Sequence, residues 1–248
     1  MRVLGLDTST ALLSAAVLDG GALVAERARE SVRPRERRPG RSNHAEGLLP
    51  LIEEVLDDAG AAFSSLSLLG VAVGPGSFTG LRIGISTAKG LVYGSEIPVL
   101  GVRTLEASAY RVPAEKDPVY VCPMIDARKG EVYAALFRRT AADFECLIED
   151  SLAAPEAMVR RVESVAAGPC LYLGSGARAY ADVITRCGAG RARVSDGTEY
   201  ASVAAAVARL AEAGYAAAPE TAAASLAPRY IRPPDAVASA PRGAAGQP

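Results

Sequence analysis

The chain of 248 residues carries 27 basic against 28 acidic side chains and is half hydrophobic, enough apolar mass for one large or two modest cored domains. That even charge balance excludes a whole-surface field for nucleic acid or membrane. A single histidine, His44, excludes any mechanism needing two imidazoles. The four dispersed cysteines, Cys122, Cys146, Cys170 and Cys187, contain no Cys-x-x-Cys pair and suit buried thiols better than a disulfide frame or zinc site.

Asp7 falls where the apolar core of a secretory signal would run, and no apolar segment nears the ~20 residues of a spanning helix. The expectation is a cytoplasmic protein without membrane contact. Three strands are predicted first, at 2–7, 12–18 and 22–30, with Asp19-Gly20-Gly21 turning the second into the third. Residues 31–42 form a proline-bearing basic loop with arginines at 33, 35, 37, 38 and 41.

A helix is predicted from about His44 to Ala59, capped by Ser42 or Asn43. Its Leu48, Leu49, Leu51, Ile52, Val55, Leu56 and Ala59 cover an arc of roughly 160°, opposite Glu53 and Asp57. The apolar run 68–73 reads as a strand buried on both faces. Gly74-Pro75-Gly76 is then a sharp turn, and Ser77 caps a helix from about Phe78 to Tyr93.

On that helix Phe78, Leu81, Ile85, Ala88, Leu91 and Val92 share one side with Gly80 and Gly84 on its flank, while Arg82, Lys89 and Tyr93 form a polar stripe. Close packing on its own sheet and a surface for a partner helix both account for the pattern. A short strand at 98–102 and a helix beginning near Thr104 complete a β-β-β-α-β-α order.

After 113–118, read as a linker, the order begins again. Strands are predicted at 119–125, 131–139 and 144–150, a helix at 155–164, a strand at 170–173 and a helix at 177–186. The repeat is one of element order, without close sequence repetition. An alanine-rich amphipathic helix at 201–213 follows, and 233–248 has the composition of a disordered tail. The boundaries expected are 1–112, 113–232 and the tail.

Asp7-Thr8-Ser9-Thr10 closes the first strand with a carboxylate and three hydroxyls. Asp7, Thr8 and Ser9 are thus candidate nucleotide-binding residues, although a polar hairpin turn explains them as simply. Asp126, in the charged run Asp126-Ala127-Arg128-Lys129-Gly130-Glu131, is a candidate base or metal carboxylate with the same plain alternative. His44-Ala45-Glu46 and Pro169-Cys170 mimic a zinc deaminase, but position 173 is Leu and the second thiolate is missing. No phosphate-binding loop or dinucleotide fingerprint occurs.

Five segments together resemble the bacterial TsaB (YeaZ) family, over nearly the whole chain up to the tail. They are Leu4-Gly5-Leu6-Asp7-Thr8-Ser9, the helix start at 44–51, residues 74–84, Ile125 to Tyr133, and Arg229-Tyr230-Ile231-Arg232-Pro233. The resemblance implies an α/β fold of duplicated βββαβα domains, the actin-like, sugar-kinase and Hsp70-like (ASKHA, ribonuclease H-like) class. It further implies a non-catalytic subunit in the synthesis of tRNA N6-threonylcarbamoyladenosine. The paralogue TsaD would be the transferase, with ATP and metal in that partner and no cofactor here beyond weak nucleotide binding. The resemblance also implies a TsaE-like ATPase in the larger complex and tRNA met indirectly, and it allows a homodimer when the chain is alone.

In TsaD a His-x-x-x-His pair holds the metal. The corresponding residues here are Thr104 and Ser108, poor substitutes for imidazole on a transition metal. The resemblance also implies docking through the two helices of the first half, giving Leu48, Leu51, Ile52, Val55, Phe78, Gly80, Leu81, Gly84, Ile85 and Ala88 as partner-interface residues. Ile52→Glu or Ile85→Glu is accordingly expected to block docking and leave the chain folded. The competing readings are a small-molecule kinase of the same fold using Asp7 and Asp126 with ATP and magnesium, and a metallopeptidase, which the ligand census disfavours.

Overall fold

The computed structural model describes residues 1–30, 44–113, 119–140, 143–195, 202–218 and 223–232. The basic segment 31–42, the linker 114–118 and the tail 233–248 lie outside the described residues. The first half contains β1 (Arg2–Asp7), β2 (Leu12–Asp19), β3 (Ala22–Glu30), α1 (His44–Asp58), β4 (Leu68–Gly74), α2 (Phe78–Val92), β5 (Val99–Arg103) and α3 (Thr104–Tyr110). The second contains β6 (Tyr120–Arg128), β7 (Glu131–Arg139), β8 (Phe144–Ala153), α4 (Pro155–Val165), β9 (Cys170–Leu173), α5 (Ser175–Ala179), α6 (Ala181–Cys187), β10 (Ala192–Val194) and α7 (Ala204–Ala217).

Each half builds a five-stranded mixed sheet. The first runs β3-β2-β1-β4-β5 and the second β8-β7-β6-β9-β10, so the duplication in element order is a duplication in space. β1–β2–β3 and β6–β7–β8 are antiparallel, while β4, β5, β9 and β10 join in parallel through helical crossovers. The parallel strands read as continuous apolar runs because both faces are covered.

Alternation along β1 and β4 divides the first core in two. Leu4, Leu6, Leu69 and Val71 face α1 and α2, in one cluster with Leu48, Leu51, Ile52, Val55, Ile85 and Ala88. Val3, Leu68 and Ala72 face the opposite side, with Val207, Ala208 and Ala211 of α7. The second sheet packs Met124, Val132, Leu136 and Tyr172 against Met158, Val159 and Val162 of α4 and Ile184 of α6.

Four details differ from the sequence reading. β6 runs on to Arg128, because Arg128 pairs with Glu131 and leaves Lys129-Gly130 as a two-residue turn with φ of 55° and 77°, the left-handed pair that suits strand twist. The helix expected at 177–186 divides at Tyr180, whose φ of −120° and ψ of 28° leave helical space, into α5 and α6. β10, a three-residue edge strand, gives too short a pattern to be read.

The fourth difference corrects the domain boundaries. α7, expected within 113–232 as part of the second domain, lies on β1, β2 and β4 of the first sheet. The reason is close approach over small residues. A Cβ on Gly5 would sit 2.2 Å from the Ala204 carbonyl oxygen, and one on Gly70 would sit 2.7 Å from the Ala211 Cβ. In return, Leu105, Ala109 and Val112 of the α3 region pack with Val121, Ile125, Ala135, Phe137 and Leu173 of the second half. Each half therefore lends the other a helix.

Candidate interaction surface

The hydroxyl-rich turn after β1 is filled by the protein itself. Asp7, Thr8 and Ser9 are at most 1 % exposed. Thr8 Oγ1 donates to the Gly80 carbonyl at 2.8 Å, and the Ser77 N–H donates to the Ser9 carbonyl at 2.6 Å. A Cβ on Gly80 would lie 2.0 Å from the Thr8 carbonyl oxygen, and one on Gly84 would lie 2.3 Å from Thr8 Oγ1. The glycine spacing of α2 thus seats that helix on the chain's own first turn. Ser77 caps it as expected, its Oγ accepting from the Gly80 N–H at 3.2 Å.

Asp7 and Asp126 occupy equivalent places in the two halves and are held alike. Asp7 Oδ1 accepts from the Ser9 N–H at 2.8 Å, and Asp126 Oδ1 from the Arg128 N–H at 2.9 Å, the same local turn bond repeated. The Asp126 N–H donates to Ser175 Oγ at 3.1 Å. As candidate nucleotide residues, Asp7, Thr8 and Ser9 offer no open surface for a phosphate, and Asp126 is engaged in its hairpin.

The expected partner-interface residues are corrected by burial. Leu48, Leu51, Ile52, Val55, Leu81, Ile85 and Ala88 are core residues of the isolated chain, none more than 5 % exposed, and Gly80 and Gly84 are buried against Thr8. Phe78 alone of the ten is partly exposed. Most of each apolar arc covers the sheet, and what α1 and α2 offer outward is the edge of the arc and the rest of each helix. Leu49 is 48 % exposed. Ile83 and Leu91 are half-buried over the cluster that holds α1, and Gly90 is exposed with open space where its Cβ would stand. Glu53 and Asp57 rim this seam on α1.

The other flank of α2 meets the C-terminal segment. The Phe78 and Tyr230 rings lie 4.9 Å apart, the Arg82 guanidinium sits 4.0 Å above the Phe78 centroid, and Arg82 Nε donates to the Tyr230 hydroxyl at 3.0 Å. The Arg229 N–H donates to the Val73 carbonyl at 2.7 Å. Arg232 donates to the Ala127 carbonyl at 2.8 Å and pairs with Glu131. The segment therefore ties the first half to the β6–β7 hairpin. The sequence reading recognised this motif and gave it no role.

Thr104 opens α3 and Ser108 stands one turn on, 1 % and 8 % exposed, with Ser108 Oγ donating to the Thr104 carbonyl at 2.8 Å. The thiols of Cys122 and Cys170 are pushed up by burial, as is that of Cys146, which disfavours the thiolate a nucleophile or metal ligand needs. Among the described residues no group of three His, Cys, Asp or Glu side chains converges for a metal, and no helix is long and apolar enough to cross a membrane.

A family model described as TsaD, tRNA N6-adenosine threonylcarbamoyltransferase, matches residues 38–237. The TsaB protein of Escherichia coli (strain K12), a tRNA threonylcarbamoyladenosine biosynthesis protein, is 33 % identical over 184 residues, 74 % of this chain and 75 % of the relative. The chain belongs to the TsaB family. TsaB of Bacillus subtilis (strain 168) is 32 % identical over 150 residues, covering 60 % of this chain and 61 % of its own. The solved structure of YeaZ from Pseudomonas aeruginosa superposes with a TM-score of 0.73 at 28 % identity, covering 92 % of this chain and 99 % of that one. The duplicated α/β architecture expected from sequence stands, with one five-stranded mixed sheet in each half. The family model carries the transferase's description and the relatives carry the TsaB name, which fits one fold shared by both branches.

Proposed function

We propose that this chain is a non-catalytic subunit in the synthesis of tRNA N6-threonylcarbamoyladenosine, docking a TsaD-like paralogue on the outward seam of α1 and α2. The observation that carries the pathway is the 33 % identity to a TsaB protein across three-quarters of both chains. Three features support the absence of chemistry. The chain has one histidine, hydroxyls stand where the resemblance implies metal-binding imidazoles, and the turn after β1 is packed shut by α2.

The seam Leu49, Ile83, Gly90 and Leu91 supports the docking site. A glycine inside an exposed helix costs about 1 kcal/mol against alanine, and Gly90, unlike Gly80 and Gly84, meets no atom among the described residues that would require it. A neighbouring backbone approaching from outside supplies that reason. The kinase reading has no such support, since Asp7 is 1 % exposed.

The test combines the purified chain with its TsaD-like paralogue, follows complex formation by size exclusion and assays tRNA modification with each component omitted in turn. Leu49→Glu and Gly90→Gln are expected to fold normally and to weaken the complex at least tenfold. Co-elution of both variants with undiminished affinity would rule out this seam. Modification of tRNA by the chain alone would rule out the non-catalytic role.

A further inference from the structure

The motif at 229–232 ties the two halves, but its Tyr230 side chain and the far flank of α2 build a surface that the docking seam does not use. Tyr230 is 37 % exposed while stacked on Phe78, and Arg82 is exposed while held flat over the same ring. Arg82 has no carboxylate partner among the described residues; its contacts are the Phe78 ring and the Tyr230 hydroxyl. Two residues on, roughly 7 Å of extended chain, Arg232 is bonded to Ala127 beside Arg128. Arg128, paired with Asp126 at 3.4 Å, keeps a side chain 68 % exposed and has a φ of 62°, uncommon for an arginine, at the irregularity that ends β6.

Charge decides what fits here. α2 contains Arg82 and Lys89 and no acidic residue, whereas α1 carries Glu46, Glu53, Glu54, Asp57 and Asp58 and no lysine or arginine. Glu54 and Asp58 are paired with Arg29 and Arg27, so the exposed Glu53 and Asp57 beside the docking seam are what disfavour a polyanion on α1 relative to the far flank of α2. Aromatic faces beside exposed guanidinium groups suit unpaired bases, which stack while their phosphates meet the arginines.

We propose that the Phe78–Arg82–Tyr230 stack is a contact for an unpaired loop of the RNA substrate, so that this chain touches RNA directly. The proposal rests on the tRNA-modification reading and deepens it. Docking and RNA contact occupy opposite flanks of α2. Ile83 and Leu91 lie over the cluster that holds α1, and Phe78 and Arg82 lie against Tyr230.

The test measures fluorescence anisotropy of a labelled RNA stem-loop, and of the same stem as a closed duplex, with the full chain alone and in the presence of the paralogue. The stem-loop is expected to bind more tightly than the duplex. Arg82→Gln and Tyr230→Ser are each expected to weaken stem-loop binding roughly tenfold. The slope against log salt falls by about 1 for Arg82→Gln, and Tyr230→Phe retains most of the affinity. Circular dichroism checks folding, and Arg82→Gln, an exposed helical change, guards against a misfolded Tyr230→Ser. Equal binding of loop and duplex, or variants that bind like the parent, overturns the proposal. So does loss of the paralogue complex on Arg82→Gln, which would assign the stack to protein docking. Failure of the parent chain to join the paralogue at all sinks the functional reading instead, and the measurement on the chain alone still decides the RNA contact.

Discussion

At the scale of single residues, two of the three glycines of α2 have a reason to be glycine among the described residues and the third has none. Gly80 and Gly84 lie on the Thr8 backbone and hydroxyl, while Gly90 faces open space. Gly80→Ala is therefore expected to destabilise the fold by about 2–3 kcal/mol, since the neighbour at 2.0 Å is backbone and cannot rotate away. Gly90→Ala is expected to raise stability by up to ~1 kcal/mol. Urea unfolding of the two variants checks both signs. Asp150 supplies a pH dependence. Its side chain is fully buried between Arg103 and Arg229, at 3.8 and 3.5 Å without a hydrogen bond, and burial raises its pKa despite both cations. A raised carboxyl favours the fold while protonated, and that contribution is lost as pH rises from the ordinary value of 3.8 through the folded one. Asp150→Asn, which cannot ionise, is expected to unfold at higher temperature than the parent at pH 7, the gain shrinking toward pH 4. Thermal melts across that range check it.

At the scale of elements, α1 and α2 show why an apolar arc alone does not identify an interface. A helix covering a twisted sheet and touching a second helix buries more than half its circumference, so the arc of Leu48, Leu51, Ile52 and Val55 is used up within the chain. Ile52→Glu and Ile85→Glu, expected from sequence to leave a folded chain, now carry the opposite expectation. Each buries a charge at a site no more than 5 % exposed, and insoluble or unfolded protein follows, at a cost above ~4 kcal/mol. Leu49→Glu, at the exposed edge of the arc, is expected to change stability by less than about 0.5 kcal/mol. Comparing the soluble yield and melting temperature of the three variants separates core from surface.

At the scale of the whole molecule, the exchange of α3 and α7 makes the halves interdependent. The first sheet without α7 leaves Val3, Leu68 and Ala72 uncovered, and α3 without the second sheet loses the surroundings of Leu105 and Ala109. Residues 1–112 expressed alone are expected to aggregate, and co-expression with the remainder to rescue solubility. A folded, monomeric 1–112 fragment would contradict this account. Arg103 reinforces the joint, donating to Glu106 of its own half at 3.0 Å and to Glu149 of the other at 2.6 Å.

Sequence by itself determined every described strand but β10, nearly all the helices and their repeated order, because period-2 and period-3.6 patterning and Gly, Pro and Ser punctuation act over a few neighbouring residues. The cap at Ser77 and the turns at Asp7 and Asp126 were legible for the same reason. Tertiary structure alone decided which sheet α7 covers, what Gly80 and Gly84 touch, and which side of α1 and α2 remains outside. Each of those depends on atoms brought together from distant parts of the chain, Gly5 with Ala204 or Thr8 with Gly80, and local patterning carries no information about such meetings.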